Sequence, residues 1–246
     1  MSHNDHAFSP GDSLPVVLPA MMRSAGVAQV TVEKVSKSPS FRGGAVSEQA
    51  RAITGPARAE HRRRGFGFWE FALERAVSAD PPTRRALLRG ALSHEPADRD
   101  QRSMLTVDEL ADGLTSGAWN DLPARAMVNL CSTVSTADGR TRHLVLLDFG
   151  MPATWTSSTD AACEVVQALG LSGALFTSGR SFHFVSAAVA TRDEMHATLA
   201  RAQLLSPLID TRWASHQLID SECRLRISTD MERNTAPHQL IRSVQS

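Results

Sequence analysis

The chain has 246 residues, of which 42% are hydrophobic and 21% charged, and its acidic and basic side chains balance to zero net charge. That composition is ordinary for a globular protein of one substantial domain or two small ones, and it excludes a global field drawing the whole molecule to nucleic acid. No apolar run approaches the roughly 18 residues needed to span a bilayer, and the start, MSHNDHAF, lacks the basic and apolar regions of a signal peptide. A cytoplasmic protein without a membrane partner is therefore expected. Cys131, Cys163 and Cys223 lie far apart with no CxxC pair, which argues against a disulfide framework or structural zinc.

Residues 1–45 are rich in Ser, Pro and Gly, and Pro10, Pro15, Pro19 and Pro39 break any long element. The β-prone Val30-Thr31-Val32 predicts a short strand between Val27 and Val35, and the rest reads as flexible or as an arm on a core formed later. Residues 46–122 read as helical. His61-Arg62-Arg63-Arg64 is either a solvated helix entrance or a phosphate patch. Phe68, Trp69, Ala72, Leu73, Ala76 and Val77 then recur at helical spacing until Asp80-Pro81-Pro82, and the aromatics serve either as core or as a base-stacking platform. A second helix is predicted from Thr83 to Leu92, with Arg84, Arg85 and Arg89 on its wet side. A third begins at Thr106, where Thr106-Val107-Asp108-Glu109 fits a capping box.

Residues 123–246 change character. Two β-prone runs between Ala126 and Phe149 flank Asp138-Gly139, a hairpin turn signal. The first, VNLCSTVST, alternates; the second, HLVLLDF, is apolar until it ends in Asp148, as a central strand would be. A helix over Ser158–Leu169 stops at Gly170. A second hairpin follows, with strands Ser172–Thr177 and Phe182–Val189 about the polar loop Ser178-Gly179-Arg180-Ser181. Thr191–Leu205 reads as an amphipathic helix, and Ser206-Pro207 as the start of another carrying Asp210, Arg212 and His216. Cys223–Thr229 reads as a last strand, and the tail beyond Asp230 as loose. The expected class is α+β, an antiparallel-rich sheet of two β-hairpin units with packed helices, preceded by a helical layer. Neither GxGxxG nor GxxxxGK[ST] is present, so standard dinucleotide and P-loop sites have no support.

Asp148 ends a central strand, where a charge must be solvated, paired or bound to a cation. Period two puts Ser181 and His183 on one face of the returning strand. In this order HLVLLDFG, SGRSFHF, PLID and LRIS resemble the motifs of the archaeo-eukaryotic primase family, including its primase–polymerase branches. The resemblance covers roughly residues 126–230 and implies a primase-like catalytic core. It makes Asp148 and Asp210 catalytic ligands of Mg²⁺ or Mn²⁺. Ser178, Gly179, Arg180, Ser181 and His183 would hold a nucleoside triphosphate, and Arg226 would be the basic residue on the last strand. Arg212 and His216 share a helix face that either meets an anion or is surface display.

Two departures from the family pattern stand out. Gly150 occupies the position of the second acidic residue of the first motif, which bears on the usual metal pair; Asp160 or Glu164 could substitute, though both read as helical. Asp210 reads as helical where the resemblance implies a strand or strand end. The functions expected are therefore a primase–polymerase type nucleotidyltransferase acting on a DNA or RNA strand, or a non-catalytic nucleotide- or nucleic-acid-binding relative with an accessory protein partner. A purely structural interaction protein is the third.

Overall fold

The computed structural model describes residues 8–36, 48–65, 67–93, 102–119, 122, 126–228 and 238–245. Pro39, Pro123, Thr229 and Asp230, used above as boundaries, lie outside them. The chain forms two compact units, one of residues 37–97 and one of residues 1–36 together with 98–246. The smaller unit is thus an insertion in the larger.

The larger unit starts with α1 (Leu14–Ser24) and β1 (Val27–Ser36). The prolines led to the expectation of no long element here, yet α1 has eleven residues. Pro15 lies in the first turn, where its missing N–H has no partner to lose, and Leu14, Val17, Leu18, Met21 and Met22 are buried at helical spacing. Tertiary packing of that face outweighs the internal Pro19. The inserted unit holds α2 (Glu48–Arg64), α3 (Phe68–Ala76) and α4 (Pro81–Leu92). Its own core is built from Ile53, Ala57, Phe68, Trp69, Ala72, Ala76, Ala79 and Leu87, so Phe68 and Trp69 are core residues; their rings meet edge to face at 5.1 Å. Asp80 caps α4 by accepting from the Thr83 N–H. Val77, expected in the apolar stripe, falls just past the end of α3 and is exposed.

After the insertion come β2 (Arg102–Thr106) and α5 (Val107–Thr115). The latter opens with the expected capping box between Thr106 and Glu109, but β2 interrupts the stretch read as helical throughout. Then follow β3 (Ala126–Thr136), β4 (Thr141–Asp148), α6 (Ser158–Ala168), β5 (Gly173–Thr177), β6 (Phe182–Ala190), α7 (Arg192–Gln203), α8 (Thr211–Asp220), β7 (Arg224–Arg226) and β8 (Leu240–Val244). The tail expected to be loose therefore supplies an edge strand. Among the described residues, eight strands form one antiparallel sheet in the order β2-β1-β3-β4-β6-β5-β8, with β7 on β3. The two expected hairpins, β3–β4 and β5–β6, meet through β4 and β6 at its centre, and β4 is apolar because it is buried there.

β7 takes the edge of β3 at Asn129–Cys131, where the β3–β4 pairing has ended. Its outer edge is closed by α8: Arg224 N–H donates to Gln217 Oε1 at 2.9 Å, and Trp213 Nε1 donates to the Arg224 carbonyl at 3.0 Å. The register aligns Arg102, Glu33, Asn129 and Arg226 in a polar row across four strands, while Val32, Leu130 and Leu225 form the adjacent apolar row. Glu33 is fully buried. Arg224 Nε lies 3.0 Å from its Oε2 and Arg102 Nε 3.5 Å from its Oε1, and the two arginines also pair with Glu222, Arg224 with Asp220 as well. This ion cluster fixes β7 to β1 and β2. Removing one partner of a buried pair strands the other charge, so Glu33→Ala should lower stability by roughly 3 kcal/mol in urea unfolding. A change below about 1 kcal/mol would contradict the network's structural role.

Candidate functional site

The site is built around Asp148–Ala153, the stretch that leaves the centre of the sheet. One edge of it is held by the Ser178–Phe182 loop and strand start. Phe149 N–H donates to the Phe182 carbonyl at 3.1 Å, and Ala153 N–H to that of Arg180 at 2.8 Å. The Ser181 hydroxyl stands 2.6 Å from both the Phe149 and the Met151 carbonyl oxygens and shares its single proton between them. The loop itself is closed by Ser178 N–H donating to the Ser181 carbonyl at 2.9 Å. Gly179 sits at its tip with φ +96, a left-handed conformation that suits glycine, and the neighbouring Arg180 is exposed.

The other edge is held by the segment before α8. Gly150 N–H donates to the Leu208 carbonyl at 2.8 Å, and Asp210 N–H to the Asp148 carbonyl at 2.9 Å, around a Phe149–Ile209 bridge. Ser206-Pro207 is therefore not a helix start: it is a cis peptide bond ahead of this bridge. Asp210 is not inside a helix either. It is extended and caps α8, accepting from the Trp213 N–H at 2.9 Å. The strand-like setting implied by the resemblance is what the chain adopts.

This approach explains Gly150. A Cβ there would stand 2.9 Å from the Pro207 carbonyl oxygen and 3.4 Å from Asp210 N. The position that would carry a second acidic side chain is occupied by the backbone that delivers Asp210. The other acids considered, Asp160 and Glu164, lie on α6, and Asp160 pairs with Arg242 at 2.9 Å.

Across the sheet Asp148 pairs in register with His183, and His183 Nε2 is 3.6 Å from Asp148 Oδ1. Burial holds the His183 imidazole well below its ordinary pKa, aided by His238 and Arg226 and opposed by a hydrogen bond to the Arg226 backbone. A neutral ring at that distance makes a polar contact, not an ion pair. His238, in the stretch read as a loose tail, stacks on His183 with centroids 5.2 Å apart. It is buried, its Nε2 has no hydrogen-bond partner among the described residues, and burial with the nearby Arg226 pushes its pKa down to about 3. Its local sequence, an isolated histidine in a polar tail, held no signal for this placement.

Arg226 Nη2 donates to the Ser178 carbonyl at 2.8 Å and Nη1 to that of Ser228 at 2.6 Å, so the basic residue of β7 braces the loop. Asp148, His183, Arg226, Ser178 and the Asp210 main chain thus converge. Arg212 and His216 are half-buried on the first two turns of α8. Among the described residues, no three His, Cys, Asp or Glu side chains group as a metal site. Asp148 and Asp210 are two carboxylate residues joined through their main chains, the number and kind of protein ligand a single Mg²⁺ or Mn²⁺ commonly takes. They do not supply the shared carboxylates of a two-metal centre.

A family model described as archaeo-eukaryotic primase 1D-like (AEP-like) matches residues 106–239. Neither the curated proteins nor the solved structures contain a match to this chain. Among the described residues, no helix is long and apolar enough to cross a membrane.

Two outcomes follow from the packing. Gly150→Ala should displace the Pro207–Asp210 backbone, at a cost of about 1–3 kcal/mol, detected as a lowered urea midpoint; an unchanged midpoint would contradict the close approach. His238 resists protonation in the native state but not in the unfolded chain, whose histidine titrates near 6.5. Its folded pKa is depressed, so the stability it contributes is present above pH 6.5 and drains as pH falls toward about 3, by up to ~1.4 kcal/mol per pH unit. His238→Phe should flatten the fall of the urea midpoint between pH 6 and 4, and an unaltered slope would show that His238 is not held neutral.

Proposed function

The chain belongs to the archaeo-eukaryotic primase-like family, and on that premise we propose that its α+β unit is a primase/polymerase-like nucleotidyltransferase domain. It binds a nucleoside triphosphate and a DNA or RNA strand through one divalent cation. The observation that carries this reading is the hydrogen bond from Asp210 N–H to the Asp148 carbonyl. It sets two acidic residues, 62 positions apart in the chain, on adjoining main chains opposite His183.

Asp148 and Asp210 would hold Mg²⁺ or Mn²⁺, which when bound offsets phosphate charge and orients the α-phosphate. The exposed Arg180 presents a planar fork suited to bidentate phosphate binding, and Gly179 lets the loop backbone come close. Ser181 acts by position: its hydroxyl locks the Phe149–Met151 carbonyls and so aims Asp148. His183 offers a neutral imidazole, a hydrogen-bonding group that adds no charge. Arg226 keeps its cation beside the loop while two of its N–H groups brace Ser178 and Ser228. Arg212 and His216 follow Asp210 on α8 as further groups for an anionic ligand.

A second reading is favoured by one observation. Gly150 is filled by main chain, so a non-catalytic relative that binds nucleotide or nucleic acid, with an accessory protein as its partner, needs no second acid. Titration of a fluorescent nucleotide, with and without Mg²⁺, and primer extension separate the two. Binding is expected to require Mg²⁺ and to weaken at least about tenfold in Asp148→Asn, the loss of one charged ligand bond. Incorporation that survives Asp148→Ala would sink the catalytic reading. Tight nucleotide binding without Mg²⁺ and with no incorporation would select the second.

A further inference from the structure

We propose that the inserted helical unit is a second nucleic-acid contact, in which Arg51, Arg58 and Arg62 of α2 grip the phosphate backbone of a strand. The chain as a whole is neutral, but residues 37–97 hold 11 Lys and Arg against 6 Asp and Glu. The remainder is acidic to the same extent. Positive charge is therefore concentrated in one compact unit, a partition that neutrality of the whole conceals.

Within that unit the charge is ordered. Arg51, Arg58 and Arg62 are spaced seven and four residues apart, so they line one flank of α2 over about 16 Å. Arg51 and Arg62 are exposed and Arg58 half-buried. Among the described residues, no carboxylate comes within ion-pair distance of any of the three. Their neighbours differ: Arg63 pairs with Glu60, and Arg64 lies over the Phe71 ring at 5.2 Å. Packing of the unit uses the face with Ala50, Ile53 and Ala57, so the arginine row is not what folds it. A helix flank that only needs solvation gains from alternating i,i+4 ion pairs; this flank forgoes them. The fixed fork of arginine suits phosphate better than lysine would.

The outward surface of α2 is otherwise Ala52, Gly55, Pro56 and Ala59 with polar residues. It has no aromatic or long aliphatic group to enter a bilayer, which favours the phosphates of nucleic acid over those of lipid. The family match begins at residue 106 and leaves this unit outside it, so the proposal does not depend on the chemistry of the core.

The test uses the full chain, a labelled 20-nucleotide single strand, and anisotropy at several salt concentrations. Arg51→Gln, Arg58→Gln and Arg62→Gln together keep helix propensity and remove three charges. The expected result is at least about tenfold weaker binding and a log–log salt slope shallower by about two, at 0.7 per lost phosphate contact, with nucleotide affinity unchanged. Ala59→Glu, which adds a charge beside the row and removes nothing, should weaken binding severalfold in the same assay. Unchanged affinity and slope in both variants would overturn the proposal. So would a wild-type preference for phosphatidylserine vesicles over the oligonucleotide that is lost in the triple variant. Nucleotide binding that is undiminished in Asp148→Asn, with strand binding still weakened in the triple arginine variant, would count against the core reading and leave this one standing.

Discussion

The site depends on one close contact between main chains. Asp148–Ala153 leaves the sheet as a ribbon flanked on both sides, by the Ser178–Phe182 segment on one edge and by Pro207–Asp210 on the other. Only a residue without Cβ fits where Pro207 leans over position 150. The ladder to β6 sets Asp148 against His183, the bridge to Ile209 brings in Asp210, and the Ser181 hydroxyl ties the loop to the ribbon's carbonyls. The glycine that looks like a missing acid is the condition for having Asp210 nearby.

Around this contact the electrostatics divide in two. Toward the loop, burial keeps His183 and His238 neutral, so Arg226 has no histidinium beside it. Toward β1 and β2, Glu33 draws Arg224 and Arg102 inward with Glu222 and Asp220. Alternate residues of β7 thus have different duties: Arg224 is committed to the interior cluster, and Arg226, two residues on and on the same face, reaches the loop. Anchoring by the first positions the second.

Local signals in the sequence foretold local structure. Asp138-Gly139 marked the hairpin, Thr106 marked a helix start through its capping box, and the apolar run to Asp148 marked the central strand. What stayed hidden was decided by distant partners. β2 is five residues with mixed exposure, made a strand by β1 about seventy positions earlier. β8 pairs with β5 in the same non-local way, and its arrival carries His238 onto His183. α1 was obscured by prolines that its buried face outweighs. At Ser206-Pro207 the residue pair suited a helix start, but the bridge to Phe149 decided the conformation. The motif order singled out Asp210, and the fold sets its main chain against that of Asp148.

The insertion point bears on how such a protein can change over evolutionary time. β1 and β2 are neighbouring antiparallel strands, with Glu33 opposite Arg102, so the intervening chain leaves and rejoins the sheet at points about 5 Å apart. A two-residue turn would join them as well as a helical unit does, and lengthening a closed loop adds only slowly to its entropy cost. The β1–β2 connection is therefore a socket. Lineages could exchange, enlarge or discard whatever occupies it while the β1–β2 ladder and the ribbon bearing Asp148 stay as they are.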